Sequence, residues 1–348
     1  MINAPPSVHL PSGSVLVEDA DEEIFLLYTN KQQRATSESA ATGRGAAELG
    51  YHSDQGDVLA VNLSVNNPWS GSGQADTVMK SRKFKKGKGK EKETLEVNVE
   101  LRQSLAALRN RKGDTGSVLW RLSLHLAEYI LTLHHFPSPE VPCLLPNLST
   151  SSILELGSGT GFLGLALRSI FAPFTPSTHP TESAFKWTFS DQLDNLPLIL
   201  RNLRGNSISE SEIGDSPAHP YSIVELDWLA ESRDYLADRT QPRKSRQPGS
   251  FPDLILAVDC IYNPALASPL AHTILRNSGS ETVVVVASEL RDSEALETFL
   301  RCWLEEGRQG GWQVTRLGWE SLDEQRAAGD LADPKFVVWV GWRQLPGE

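Results

Sequence analysis

The sequence predicts an α/β fold with a doubly wound, mostly parallel sheet and an antiparallel last strand. After Ser151, strand-like and helix-like segments alternate along the chain, as in folds made of βαβ units. The run Val283 to Val286 is continuously apolar, which is typical of a central parallel strand covered on both faces. Segments 312–322 and 335–343 follow each other without a clear helical pattern between them. That arrangement predicts a closing antiparallel hairpin at the sheet edge.

Composition and charge narrow the class of protein. The 348 residues include 33 basic and 44 acidic side chains, a formal net charge of −11. This balance argues against nucleic-acid backbone binding as the main activity and leaves basic protein partners open. The longest apolar run, Val283 to Ala287, is far shorter than the roughly 18 residues of a membrane helix, and we expect no secretory signal. Three widely separated cysteines indicate a reducing compartment, so we expect a protein of the cytoplasm, with the nucleus as an alternative, without disulfides.

An N-terminal extension is predicted to precede the main domain. Residues 1–29 contain two short apolar runs around an acidic turn, which predicts a β-hairpin. Residues 30–93 are rich in Gly, Ser, Asn and charge, so we expect a disordered insertion. Its Lys-rich end, 80–93, is interpreted as a solvated loop or, alternatively, as a nucleic-acid or nuclear-import tail. Residues 94–114 begin with alternating apolar side chains, the pattern of a strand that packs on the core.

The main domain is predicted over residues 115–348. Gly116 precedes an amphipathic helix that begins near Val118. The strand-like runs that follow are SSILELG, KWTFSD, YSIVELDW, DLILAVDC and TVVVVASE, and the helix-like runs are GFLGLALRSI, LDNLPLILRNL, NPALASPLAHTIL and SEALETFLRCWLEE. Polar loops at 171–185, 205–220 and 239–250 separate some of these elements.

A glycine-rich loop directly follows the predicted strand at 152–156. The stretch Leu154 to Gly164 reads LELGSGTGFLG, and its glycines permit a tight turn at a helix N-terminus, where a ligand can approach the backbone. Gly159 to Gly164 matches G-x-G-x-x-G, the dinucleotide fingerprint, so a dehydrogenase is one interpretation and a plain turn is another. Glu155 argues against the dehydrogenase, because its carboxylate would repel a pyrophosphate but attract an ammonium group.

Two further side chains follow predicted strands. Asp191 ends KWTFSD, where an acidic side chain can accept hydrogen bonds from both ribose hydroxyls of a nucleotide. Alternatively, Asp191 caps the following helix. Trp228 comes just after the next strand, where an indole can lie against an adenine ring. Alternatively, it is a core residue, since the chain has nine tryptophans.

The stretch 253–270 (DLILAVDCIYNPALASPL) is the most informative. Its apolar part, 254–258, predicts a buried strand, and Asn263 with the following proline predicts a helix start. Asp259 and Tyr262 therefore lie on a strand-to-helix connection. In a doubly wound sheet this connection is next to the glycine loop, at the topological switch point where ligands bind.

Asp259 and Tyr262 suit methyl transfer to an amine. A lysine is protonated at pH 7, with a pKa near 10.4, so an enzyme must bind the cation, let it lose a proton and align the neutral amine. The nitrogen becomes positive again in the transition state. Oxygen acceptors stabilise that charge, and an aromatic face adds a cation–π interaction. The alternative is a capped turn without a chemical role.

Together these motifs resemble the class I, seven-strand methyltransferases, and within them the protein lysine methyltransferases marked by a D-x-x-Y motif. The resemblance covers about residues 115–342 and rests on Thr115-Gly116 with Trp120, ELGSGTG, FSD, LDW and DCIY. It implies S-adenosylmethionine as cofactor, with Trp120 and Val258 as further cofactor contacts. The layout is most similar to the fungal ribosomal lysine N-methyltransferase 5 branch, which implies a large-subunit ribosomal protein as substrate.

The expected site follows from these motifs and from the resemblance. We expect the cofactor to be bound by Trp120, Glu155, Gly157, Ser158, Gly159, Asp191, Trp228 and Val258, and the acceptor to face Asp259 and Tyr262. We expect a monomer, with no obligatory nucleic acid, no membrane and no metal, since His125, His134 and His135 lack suitably spaced partner ligands.

Three alternatives to a ribosomal lysine substrate stay open. The first is methylation of another protein, such as a translation factor. The second is a nucleic-acid or small-molecule N-methyltransferase, although a nucleobase enzyme would more often carry N/D-P-P-Y than DCIY. The third is a scaffold that binds S-adenosylmethionine without turnover.

Overall fold

The computed structural model describes residues 2–42, 57–70, 94–104, 116–171, 185–216, 219–238, 251–308 and 310–344. The Lys-rich run 80–93, the expected boundary at 114–115 and the loop 239–250 lie outside the described residues. No helix in the described part of the chain is both long and apolar enough to cross a bilayer.

The described strands are β1 (Val15–Leu16), β2 (Val58–Asn66), β3 (Thr94–Arg102), β4 (Ser152–Leu156), β5 (Lys186–Asp191), β6 (Tyr221–Glu225), β7 (Leu254–Val258), β8 (Val283–Glu289), β9 (Trp312–Arg316) and β10 (Phe336–Arg343). The described α-helices are α1 (Ala20–Thr42), α2 (Arg121–His135), α3 (Phe162–Ala166), α4 (Leu196–Gly205), α5 (Trp228–Asp238), α6 (Pro264–Arg276), α7 (Ser293–Arg308) and α8 (Leu322–Ala328).

The main sheet confirms the predicted doubly wound, mostly parallel architecture. Its strand order is β1-β9-β10-β8-β7-β4-β5-β6. Strands β8, β7, β4, β5 and β6 pair in parallel, and the last strand, β10, lies antiparallel between β8 and β9. The order reverses between β4 and β7, so the carboxyl ends of these two strands form the switch point at which doubly wound folds bind ligands.

Apolar side chains fill both faces of this sheet. Along β7, Leu254 and Leu256 belong to the core that also contains α2, α3 and α4, whereas Ile255 and Ala257 belong to the opposite core, with α6 and α7. This alternation follows from the period of two along a strand. It explains why β7 and β8 are continuously apolar in sequence.

The N-terminal hairpin predicted over residues 14–29 is wrong. Only Val15–Leu16 is extended, pairing with β9 as a short eighth strand, and α1 begins at Ala20. The acidic segment starts a helix rather than a turn, because Asp19 accepts a hydrogen bond from the backbone N–H of Glu22 and acidic side chains stabilise a first helical turn. Ile24 and Leu27 are buried at helical spacing.

The expected disorder over residues 30–93 is also wrong where the chain is described. Helix α1 continues to Thr42, and β2 pairs antiparallel with β3 along its full length. Alternate residues of β2, from Leu59 to Val65, are buried, so this polar segment contains a complete amphipathic strand. The other edge of β3 is held by α4, where the Asn202 and Asn206 amides bond to the backbone of Arg102 and Glu100.

The predicted antiparallel partners at the end of the chain are confirmed, but they are not joined by a simple hairpin. Helix α8 lies between β9 and β10. Ser321 and Glu324 start it with a reciprocal capping box, a short signal that sequence periodicity does not reveal. The Glu324 carboxylate also accepts hydrogen bonds from the backbone and side chain of Ser12, at 2.6 and 2.7 Å, which ties the N-terminus to this connection.

Candidate functional site

A pocket lies at the carboxyl ends of β4, β5, β6 and β7. All ten residues predicted to form the site line it: Trp120, Glu155, Gly157, Ser158, Gly159, Asp191, Trp228, Val258, Asp259 and Tyr262. The lining also includes residues that the sequence reasoning missed, notably Gly116, Ser123, Gln192, Asn195, Leu226 and Cys260.

The glycine loop follows β4 with a backbone that only glycine adopts easily. Gly157, Gly159 and Gly161 have φ values of +62°, +56° and +74°, in the left-handed region. The loop is also tightly enclosed. A Cβ on Gly157 would lie 2.9 Å from the Cys260 sulfur, and a Cβ on Gly159 would lie 2.9 Å from the Gly116 carbonyl oxygen. The loop therefore presents its backbone to the pocket at the start of α3.

Ser158 links the glycine loop to the neighbouring strand. Its N–H donates to the Ser190 carbonyl at 2.9 Å, and its hydroxyl accepts from the Ser190 N–H at 3.0 Å. The hydroxyl also donates to the Glu155 carbonyl at 3.1 Å. These bonds hold the loop against β5 while Ser158 lines the pocket.

Glu155 is a buried acid on the pocket wall. Glu155 as a whole residue is 5 % exposed. Its carboxylate accepts a hydrogen bond from the Trp187 indole at 2.9 Å. Burial raises the pKa of Glu155 to about 8, against the opposing effects of the Trp187 and Ser158 hydrogen bonds. Near neutral pH the side chain is therefore largely protonated, and a cation in the pocket would favour its ionised form.

Asp191 holds the glycine loop from the end of β5. One carboxylate oxygen accepts from the Gly159 N–H at 2.8 Å, and the other accepts from the Gln192 N–H at 2.7 Å and the Asn195 amide at 2.9 Å. The carboxylate thus bonds within the turn that follows β5 and also lines the pocket. The alternative that Asp191 caps the following helix is wrong, because the N-cap residue of α4 is Asn195.

The aromatic side chains occupy different parts of the wall. Trp228 begins α5, and its ring lies 3.2 Å from the position of a Cβ on Gly157. Trp120 is the N-cap residue of α2, and the Arg291 guanidinium carbon lies 4.5 Å from the centre of its ring. Val258 ends β7 and also lines the pocket.

Asp259 and Tyr262 lie on the connection between β7 and α6. Asp259 has φ of +59°, a conformation that is uncommon for a residue with a side chain, and Asn263 caps α6 by accepting from the Ala265 N–H at 3.0 Å. The Asp259 carboxylate is paired with both terminal nitrogens of Arg291, at 3.0 and 2.8 Å. Burial raises the pKa of Asp259, and the Arg291 charge opposes that rise.

Arg291 was missed because it follows β8, far along the sequence from the D-x-x-Y stretch. The order of β7 and β8 brings it to the site, and no local pattern in the sequence marks it. Gln192 and Asn195 were missed for a similar reason, since they come from the turn after β5. Among the described residues, no group of three or more His, Cys, Asp or Glu side chains could hold a metal ion.

Comparison with known proteins gives a family match to residues 100–305, and the family model is described as "Lysine methyltransferase". A deaminase from Schizosaccharomyces pombe, named "Diaminohydroxyphosphoribosylamino-pyrimidine deaminase", is 33 % identical over 207 residues, which cover 58 % of this chain and 41 % of that protein.

Two methyltransferases are among the other relatives. The human "Protein-lysine N-methyltransferase EEF2KMT" is 28 % identical, covering 58 % of this chain and 53 % of its own. "Ribosomal lysine N-methyltransferase 5" from Candida glabrata is 24 % identical over 325 residues, covering 80 % of this chain and 89 % of its own. The chain thus spans about half or less of the S. pombe and human relatives.

Proposed function

The chain belongs to the lysine methyltransferase family, and from that premise we propose that it transfers a methyl group from S-adenosylmethionine to the side-chain nitrogen of a lysine in a protein. The observation that carries the proposal is the joint placement of the glycine loop and the Asp259–Tyr262 connection on one pocket. A cofactor site and an acceptor site must share a wall for a group to pass between them.

The residues of the pocket fit S-adenosylmethionine. A backbone cradle that a Cβ would fill at Gly157 and Gly159 suits the close approach of the aminoacyl part, and Glu155 suits its ammonium group. Asp191 is placed to accept from ribose hydroxyls, and Trp228 with Val258 offers an apolar slot for adenine. When bound, this cofactor supplies an electrophilic methyl group on a positively charged sulfur.

The acceptor side of the pocket is where the target lysine amine would bind. A lysine side chain enters as a cation and must lose its proton before its nitrogen can react. Asp259 and Tyr262 line the pocket, and their oxygen atoms are the acceptors that would stabilise the positive charge that returns to nitrogen during transfer. Alignment of the amine with the methyl group is the larger contribution.

A basic ribosomal protein of the large subunit is the substrate we propose. The name of the C. glabrata relative, whose match extends over 80 % of this chain, supports a ribosomal substrate, and the net charge of −11 is compatible with a basic partner. A ribosomal substrate also leads us to propose that the protein acts in the cytoplasm. Another protein substrate is the second candidate, because the human relative carries the name of a protein-lysine enzyme without a ribosomal target.

Calorimetric titration tests the cofactor half of the proposal. We expect S-adenosylmethionine and its demethylated product to bind with micromolar affinity while NAD gives no heat. Binding of NAD alone would contradict the proposal and would favour the interpretation of the glycine loop as that of a dehydrogenase. Binding of S-adenosylmethionine without any methyl transfer to protein would favour the scaffold instead.

A further inference from the structure

Arg291 joins two residues of the pocket wall, Trp120 and Asp259, and also pairs with Glu289. It lies between β8 and α7 and contacts residues from three separate places in the sequence. Its guanidinium makes the two-pronged ion pair with Asp259, a 2.6 Å ion pair with Glu289 and a cation–π contact with Trp120, whose ring centre lies 4.5 Å away. Trp120 and Asp259 both line the pocket. One side chain thus connects the start of α2 with the β7–α6 connection.

The pairing is closed to solvent on the Asp259 side. The Asp259 side chain is 1 % exposed, whereas that of Arg291 is 26 % exposed. The backbone is fixed as well, since the Asp259 N–H donates to the Ala287 carbonyl at 2.8 Å. A carboxylate this deeply buried is ionised at low cost only beside a positive charge. A guanidinium bound through two parallel bonds also fixes the plane of the carboxylate.

We propose that Arg291 is a positioning residue for methyl transfer: it keeps the Asp259 carboxylate ionised and oriented and holds the Trp120 ring in the wall of the pocket. This inference rests on the proposed function. Arg291 acts through its two partners and is not placed among the residues that bind cofactor or acceptor.

Because Asp259 lies among other ionisable groups, the proposed role of Arg291 can be tested by measuring how the rate of methyl transfer depends on pH. Cys260 and Tyr262 share its connection, and Glu289 approaches from β8. Lys31 of α1 donates to the Leu290 carbonyl and faces Glu289 and Arg291. The Arg291 charge lowers the pKa of Asp259 against the effects of burial and of Glu289. Removing that charge therefore moves the pKa of Asp259 upward, and a reaction that needs the carboxylate loses rate on its acid side.

Two substitutions separate charge from geometry. Arg291→Gln removes the positive charge and the two-pronged contact. We expect kcat to fall by on the order of 10²-fold, which is the effect of a small misplacement at a reacting centre. The affinity for S-adenosylmethionine should fall much less than kcat, because Arg291 reaches the cofactor site only through Trp120, and the acid limb of the pH–rate profile should move to higher pH. Arg291→Lys keeps the charge but loses the fork, so we expect a lower kcat with an acid limb near that of the native protein.

A second readout does not depend on turnover. Carbon-13 NMR of aspartate-labelled, cofactor-free protein, assigned with Asp259→Asn, follows the titration of the Asp259 carboxyl directly. We expect this titration to move to higher pH in Arg291→Gln. Arg276→Gln is the matched control, since Arg276 is also largely buried, at 18 % exposure, and pairs with Glu231 at 2.7 Å away from the pocket. It should leave both the titration and the acid limb unchanged.

Each outcome decides the question. Native kcat and an unmoved Asp259 titration in Arg291→Gln would overturn the proposal, as would equal acid-limb shifts in Arg276→Gln. If Arg291→Gln fails to fold, Arg291→Lys decides, and native kcat in that variant would exclude a role for the fork. If the native protein neither binds S-adenosylmethionine nor transfers methyl groups, the proposed function fails, and the NMR titration still tests whether Arg291 controls Asp259.

Discussion

The Tyr262 hydroxyl is the most direct test of the acceptor site at the scale of one residue. We expect Tyr262→Phe to lower kcat by about 10- to 100-fold, because one oxygen acceptor for the developing charge is lost, while cofactor affinity is unchanged. Initial rates of methyl transfer and calorimetry measure the two effects. Tyr235→Phe is the control, since Tyr235 stacks on His272 between helices. Equal rates in both variants would contradict the assignment of Tyr262.

Glu155 gives the cofactor site a pH dependence. Its pKa is raised from 4.5 to about 8 by burial, so the proton must leave when a cofactor ammonium group binds the carboxylate. We therefore expect affinity for S-adenosylmethionine to increase as pH rises toward 8, with release of a proton near pH 6.5. Calorimetry in buffers of different ionisation enthalpy measures that proton. Glu155→Gln should bind more weakly and release none, and buffer-independent heats in the native protein would contradict this account.

The raised pKa of Glu155 also makes the free energy of unfolding depend on pH. Because the folded pKa is above the unfolded value, the contribution of Glu155 to stability is fully present below about pH 4.5 and is lost as pH rises through about 8. We expect Glu155→Gln to gain stability relative to the native protein between these limits, as followed by denaturant unfolding at several pH values. An unchanged difference across this range would show that the side chain is ionised in the empty pocket.

The glycine loop is the element on which the cofactor site depends. Gly157→Ala puts a side chain at φ of +62° and 2.9 Å from the Cys260 sulfur. We expect a stability loss of about 1–2 kcal/mol from the backbone conformation alone and at least tenfold weaker binding of S-adenosylmethionine. Thermal unfolding and calorimetry check these values.

Gly205→Ala is the matched control for the loop. A Cβ there meets nothing within 4 Å, and the residue ends α4, where alanine is favoured over glycine by roughly 0.5–1 kcal/mol. We expect native affinity and equal or higher stability. Equal losses of stability and of cofactor affinity in Gly157→Ala and Gly205→Ala would contradict the claim that the cofactor site depends on the tight enclosure of the glycine loop.

Elements with a strong apolar pattern could be predicted from sequence, and ambiguous ones could not. β7 and β8 are buried on both faces, and their runs of Leu, Ile and Val leave no alternative. The acidic stretch around Asp21 is compatible with a turn or with the first turn of a helix. Burial of Ile24 and Leu27 against α7 decides between them, and that contact joins residues almost 270 positions apart in sequence. In the pocket, Asp191 and Asp259 could be predicted because each follows the end of a predicted strand. Arg291 could not be predicted, because only the tertiary structure brings it to the site.

At the scale of the whole molecule, the N-terminal extension is part of the main fold. Glu23 of α1 is 5 % exposed, accepts from the Trp339 indole of β10 at 3.0 Å and pairs with Arg316 of β9 at 2.8 Å. These contacts fasten α1 to the sheet edge. The family model begins at residue 100, so this extension lies outside the matched region, and the sequence pattern could not place it.

Glu23→Gln tests this attachment. The substitution removes the charge that Arg316 faces and leaves buried groups poorly paired, so we expect a loss of about 1–3 kcal/mol in the free energy of unfolding. Denaturant unfolding measures it. Glu22→Gln changes the exposed neighbour and should lie within about 0.5 kcal/mol of the native protein. If both variants unfold like the native protein, α1 contributes little to the stability of the fold.

The measurement that tests the central claim most directly is transfer of a radiolabelled methyl group from S-adenosylmethionine to a fractionated cell extract, with native protein and Tyr262→Phe in parallel. The account predicts label in protein, enriched in the basic ribosomal fraction, resistant to nuclease, removed by protease and recovered as methyl-lysine, with a much weaker signal for the variant. Label that disappears with nuclease, or no labelled protein despite cofactor binding, would contradict it.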